Sequence, residues 1–244
     1  MTSELDRLKL DHLRVVLVST RNPLNLGAAA RAMSNFGVRH LRVVNPYSVA
    51  FREARSAVGA ARLLASAEEC DSVAEAVADC SLVVGTTAVG HRELQHRVRR
   101  LEEGARLIRK RLRTGPVAVL FGSEKVGLSN RDLSHCHWLM RIPTREAHAS
   151  MNLAQAVAVT LYELVRQGQV PSGKAKTQLA TSAEVERITS LLFEVLCASG
   201  YVKPRAAADT EEKIRRLVRR LNLEACDAEV WTGMLRQIRW KVGS

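Results

Sequence analysis

Short, nearly continuous apolar runs punctuate the first two-thirds of the chain: Leu13–Val18, Leu41–Val44, Leu82–Val84, Val117–Phe121 and Trp138–Ile142. Runs that do not alternate apolar with polar suit strands buried on both faces. With helical stretches between them they predict an α/β fold, a mostly parallel sheet with helices on both faces. One helix is expected over Leu26–Phe36, Ala-rich, stopped by Gly37 and with Asn25 placed to cap it. Another is expected over Asn152–Gln167, where Leu153, Val157, Leu161 and Leu164 share one stripe.

Between Gly168 and Thr177 the chain reads GQVPSGKAKT, a linker composition. Beyond it the period is purely helical: Val185/Ile188/Leu192/Val195, then Ile214/Leu217/Val218/Leu221, then Val230/Met234/Leu235/Ile238. The expected organisation is a main domain over residues 1–167, a linker over 168–177 and an all-helical C-terminal extension over 178–244. That extension is too short to hold a large core alone.

Composition changes this picture little: 46% apolar and 25% charged residues are an ordinary globular balance. No apolar run approaches the roughly 20 residues that span a bilayer, and the polar start predicts no signal peptide. Five scattered cysteines without a C-x-x-C pair fit reduced thiols in a cytoplasmic protein rather than a disulfide framework or zinc ribbon. His135-Cys136-His137 lacks further ligands nearby, so no metal is expected. Charge adds more. The net charge is +12, and residues 91–113 carry nine Lys/Arg against three Glu, half of that excess. A further +4 lies beyond Pro171, where thirteen Lys/Arg face nine Asp/Glu. Concentrated positive charge is the footprint of a nucleic-acid binder. Arg97, Arg99 and Arg100, with Arg215, Arg216 and Arg219 of the tail, are the expected nucleic-acid contacts.

Two familiar phosphate chemistries are excluded. No G-x-G-x-x-G follows the first strand, and Leu128 stands where a Walker lysine is required. Three other segments remain. Asn25-x-Gly27-x-x-x-Arg31 follows strand one and sets a guanidinium beside a helix start, a position suited to phosphate or ribose. Gly122-x-Glu124-x-x-Gly127-Leu128 lies at the carboxyl end of a buried strand, where open α/β sheets bind ligands. Ser150-Met151-Asn152-Leu153-Ala154 opens the second helix, and Ser150 and Asn152 both have the chemistry of caps.

In this order and spacing the three segments resemble the motifs of the SpoU/TrmH family of the SPOUT superfamily, S-adenosylmethionine-dependent RNA ribose 2′-O-methyltransferases. The helical tail is most similar to the TrmJ-like branch, which acts on the first ribose of the tRNA anticodon loop. The resemblance implies a trefoil-knotted domain, a homodimer and tRNA as partner. It implies cofactor contacts from Thr86, Thr87, Ala88, Gly122, Ile142, Ala149, Ser150, Met151 and Leu153. It also implies catalytic roles for Arg31, Asn25, Glu124, Ser150 and Asn152, with Arg31 stabilising a forming alkoxide. Met151 replaces a commoner Leu, a volume-conserving change, and Leu24 stands where the family often has Gly. The rival readings are an RNA-binding protein that has lost its chemistry and a ribosomal RNA methyltransferase.

Overall fold

The structure, a computed structural model, describes residues 9–46, 61–88, 95–166 and 178–242; the expected linker and residues 91–94 of the basic stretch lie outside them. The strands are Leu13–Val18 (β1), His40–Val44 (β2), Glu68–Cys70 (β3), Leu82–Thr86 (β4), Val98–Arg100 (β5), Val117–Phe121 (β6) and Trp138–Arg141 (β7). They form one sheet of order β3-β2-β1-β6-β4-β7-β5, and every pairing among them is parallel. Val117–Phe121 is buried throughout, which is why it reads as an unbroken apolar run. The expectation missed β3 and β5. Each is three residues long at a sheet edge and carries charged side chains (Glu68, Glu69; Arg99, Arg100), so no apolar run marks it.

The helices of this domain are Pro23–Asn35 (α1), Ala61–Ala65 (α2), Val73–Ala76 (α3), Leu101–Leu112 (α4), Asn130–Ser134 (α5) and Leu153–Val165 (α6). Side chains alternate along each strand, so β1 sends Val15 and Leu17 into one core with α1, α2, α4 and α6. Val16 and Val18 enter the opposite core with α3 and α5. The first helix begins three residues earlier than expected. Pro23 takes the first helical position, where its missing N–H costs nothing, and the Asn22 side chain accepts from the Leu24 N–H at 2.9 Å. Asn22 is the cap, so Asn25 lies inside the first turn with its amide released for other work.

The tail contains Ser182–Ala198 (α7), Ala207–Arg220 (α8) and Ala225–Val242 (α9), which share a core of Val185, Ile188, Leu191, Ile214, Val218 and Leu235. The third helix does not bury its whole stripe: Leu235 is inside, whereas Val230, Met234 and Ile238 are exposed.

Buried polar contacts tie the tail's helices to one another and to the main domain. At the start of α7 the Ser182 and Ala183 N–H groups donate to the carbonyls of Cys80 and Ala78 at 2.7 and 2.9 Å. Arg215 donates to Glu186 at 3.0 and 3.3 Å, to Glu211 at 2.6 Å and to the Ser134 hydroxyl at 3.5 Å. Arg219 donates to the Ser182 hydroxyl at 3.1 Å and to Glu186 at 3.4 Å. This corrects the expectation that both arginines hold RNA: Arg219 is 1% and Arg215 8% exposed, so neither guanidinium can reach a phosphate. Among the described residues no helix is long and apolar enough to cross a membrane.

Candidate active site

Strand order decides where the motifs go. β4, β6 and β7 are separated in sequence but adjacent in the sheet, so the segments leaving their carboxyl ends meet. These segments enclose a cavity of about 460 Å³. All nine residues expected to contact a cofactor line it: Thr86, Thr87 and Ala88 after β4, Gly122 after β6, and Ile142, Ala149, Ser150, Met151 and Leu153 after β7. The wall is apolar at Phe121, Leu128, Leu133, Met140 and Leu153, and polar at Thr86, Glu124, Thr144 and Ser150. The Thr86 hydroxyl donates to the Leu120 carbonyl at 2.8 Å, and the Thr87 N–H donates to the Met140 carbonyl at 3.0 Å. Thr144 ties its own loop by donating to the Ala149 carbonyl at 3.1 Å.

The turn after β6 is held tightly closed. The Gly127 N–H donates to the Ser123 carbonyl at 2.9 Å, and Gly127 has φ of +69°. A Cβ on Gly122 would lie 2.0 Å from the Gly127 carbonyl carbon and 2.2 Å from the Leu128 nitrogen. Only glycine permits the chain to fold back on itself here.

A chain of side-chain hydrogen bonds then joins the three motifs. Asn152 caps α6, its Oδ1 accepting from the Ala154 and Gln155 N–H groups at 3.0 and 3.3 Å. That fixes which end of its amide points outward. Asn152 Nδ2 donates to Asn25 Oδ1 at 2.8 Å, and Asn25 Nδ2 donates to Glu124 Oε1 at 3.0 Å. The other carboxylate oxygen accepts from the Arg21 N–H at 3.5 Å. Each amide is oriented by the next, and the helix start and the carboxylate at the two ends set one direction for the whole chain. Ser150 lines the cavity but does not cap; Asn152 does.

Arg31 is exposed on α1. Of the expected RNA contacts, Arg97 and Arg100 are exposed at the sheet edge, and Arg100 pairs with Glu102 at 3.1 Å. Arg99 is engaged, paired with Glu103 and lying 5.6 Å over the Trp138 ring. Arg216 is largely buried and pairs with Glu212 at 3.4 Å. Within the same basic stretch Arg109 is buried and donates to the Glu163 carbonyl at 2.7 Å, satisfying the end of α6. His135-Cys136-His137 is a brace. Burial pushes the Cys136 thiol up to about 12 and His137 down to about 3, and His137 Nδ1 accepts from the Val83 N–H at 3.1 Å.

A parallel sheet whose carboxyl-end loops wrap one cavity, with a carboxylate–amide–amide chain at its rim, defines a SpoU-type methylase. Residues 12–162 match the SpoU rRNA Methylase family, and the chain belongs to it. Among its relatives is the tRNA (cytidine/uridine-2′-O-)-methyltransferase TrmJ of Cronobacter sakazakii, 34% identical over 237 residues, 94% of this chain and 96% of that one. The enzyme of the same name from Klebsiella pneumoniae is 33% identical, over 94% of this chain and 97% of that one. The crystal structure of TrmJ from Z. mobilis ZM4 superposes with a TM-score of 0.80 at 31% identity, covering 92% of this chain and 98% of that one.

Proposed function

We propose that the protein transfers a methyl group from S-adenosylmethionine to a ribose 2′-hydroxyl of tRNA, at the first nucleotide of the anticodon loop, as a cytoplasmic homodimer. The observation that carries this reading is the Glu124–Asn25–Asn152 chain, which assembles three sequence-distant motifs at the rim of one cavity. The names of the relatives support tRNA and the ribose oxygen.

The cavity suits the cofactor. Its volume falls within the roughly 300–1,000 Å³ usual for small-molecule sites. Its apolar wall matches an adenine ring, and its hydroxyl, carboxylate and backbone groups match ribose and amino-acid ends. Thr86–Ala88, Gly122, Ile142 and Ala149–Met151 would hold it, with Leu153 adding apolar contact. The cofactor supplies an electrophilic methyl group. The chain's own residues do the rest: the amide chain fixes Glu124 as an acceptor at the edge of the cavity, and Arg31 lowers the cost of charge on the ribose oxygen. A guanidinium stays protonated, so Arg31 acts as a cation rather than a base. A trefoil knot in the chain around the cavity and a partner subunit beside α1 belong to this reading. Of the expected RNA contacts, Arg97 and Arg100 are exposed and would reach RNA, whereas the Arg216 side chain, paired with Glu212, is as buried as that of Arg215.

The test is incubation of the protein with methyl-labelled cofactor and bulk tRNA, followed by nuclease digestion. Label in 2′-O-methylcytidine or 2′-O-methyluridine is expected. Label on a base refutes it, as does a parallel incubation with ribosomal RNA that takes up label when tRNA takes up none.

A further inference from the structure

Beside the cofactor cavity runs a second concavity of about 900 Å³, formed by Ser19 and Arg21–Pro23 on one side and Ser123–Val126 on the other. The two share a wall: Ser123, Glu124, Lys125 and Val126 line both. A group in the groove therefore faces a group in the cavity across Glu124. Ser19, at φ of 53°, turns the chain sharply out of β1 and sets Arg21 at the groove's edge. Lys125 stands at the tip of the opposite turn. Among the described residues neither the Arg21 guanidinium nor the Lys125 ammonium enters a hydrogen bond or ion pair; the Arg21 bond to Glu124 is made by its backbone N–H. Contrast Arg42, tied to Glu68 at 2.8 Å and to Asp79 at 2.5 Å. Pro23 and the exposed Val126 add apolar surface to the lining of the same groove.

We infer that this groove receives the RNA strand at the reacting nucleotide, with Arg21 and Lys125 on the phosphates flanking the target ribose and its base against Pro23 and Val126. The inference rests on the proposed ribose chemistry and assigns the strand's binding residues. A groove lined by two cations and by apolar side chains offers partners for both the phosphates and a base of a single strand. An unpaired nucleotide can turn its base into such a groove, whereas a duplex cannot. The arrangement also serves the reaction. A 2′-hydroxyl next to a negatively charged 3′-phosphodiester is harder to deprotonate, since like charges oppose ionisation. A cation on that phosphate removes part of the opposition. Neither residue is part of the amide chain, and Arg21 does not line the cofactor cavity.

The experiment uses the full chain, bulk tRNA and the variants Arg21→Gln, Lys125→Gln and the double variant. Fluorescence anisotropy gives tRNA affinity across a range of salt, and calorimetry gives affinity for S-adenosylmethionine. Each neutralisation should weaken tRNA binding several-fold and flatten the slope of log affinity against log salt by about 0.7, the value for one single-strand phosphate contact. In turnover, the tRNA KM should rise. Cofactor affinity should stay within about twofold for Arg21→Gln, which also shows that the variant is folded. Unchanged salt slopes in the double variant overturn the assignment. A wild-type protein that binds tRNA with a steep slope but transfers no methyl group refutes the proposed reaction instead, and the variants' slopes still decide the groove.

Discussion

The docked tail makes a quantitative prediction about charge. Two guanidinium groups, those of Arg215 and Arg219, share the carboxylate of Glu186, and Arg215 also holds Glu211 at 2.6 Å. In Glu186→Gln, Arg215 keeps an acidic partner, but Arg219, 1% exposed, keeps none among the described residues. Removing one partner of a buried pair costs about 3–5 kcal/mol because a charge is left uncompensated. A quarter of the Glu186 side chain reaches solvent (24%), so the lower end, about 3 kcal/mol, applies. In Arg219→Met the apolar stem is kept and Glu186 retains Arg215. What disappears is one hydroxyl bond and one long ion pair, together about 1–2 kcal/mol. The carboxylate should therefore matter more than either cation. The double variant should recover part of the Glu186→Gln loss, because the stranded charge is gone. Urea unfolding of the full chain at pH 7.5, followed by circular dichroism, measures all three. Arg219→Met at least as destabilising as Glu186→Gln, or a double variant with simply additive losses, would refute the reasoning.

Further outcomes follow from the site and the core. Arg31→Ala should lose methyl transfer by two orders of magnitude or more with cofactor affinity little changed, as expected for a contact made in the transition state; turnover near the wild-type rate would remove Arg31 from that role. Asn25→Asp replaces a donor with a carboxylate facing Glu124 Oε1, now 3.0 Å from an amide nitrogen, so activity should fall further than in Asn25→Ala, and steady-state rates at neutral pH compare them. Burial holds His96 at about 4 and His135 and His137 at about 3, below the 6.5 of an unfolded imidazole. The unfolded chain therefore binds more protons in between. Stability should be complete above about pH 6.5 and fall with pH toward 3–4, by about 1.4 kcal/mol per pH unit per histidine. Urea midpoints from pH 7.5 down to 5 check the slope, and His135→Gln should flatten it.

The amino-acid sequence by itself determined the central strands and which residues line the cavity. Leu13–Val18 and Val117–Phe121 were legible to the residue, because strands buried on both faces must be apolar throughout. The cavity-lining residues were legible because three motifs in order carry more information than any local pattern. Periodicity could not carry the strand order. Only the sheet, by placing β4 between β6 and β7, brings Thr86, Phe121 and Ile142 to one cavity. Nor could spacing tell which asparagine caps α1. Asn22 and Asn25 are equally suited in isolation, and Pro23 together with the distant Glu124 separates their roles. The tail arginines show the same limit most clearly. Arg215 and Arg219 sit four residues apart in a strongly basic helix, a pattern that reads as a charged face turned to solvent. Whether a charge is exposed depends on what covers it. Here the cover is Glu186 on another helix and Ser134 and Ser182 at the docking seam, 29 to 81 residues away in sequence, so only the packed tertiary structure could turn a basic surface into a buried joint.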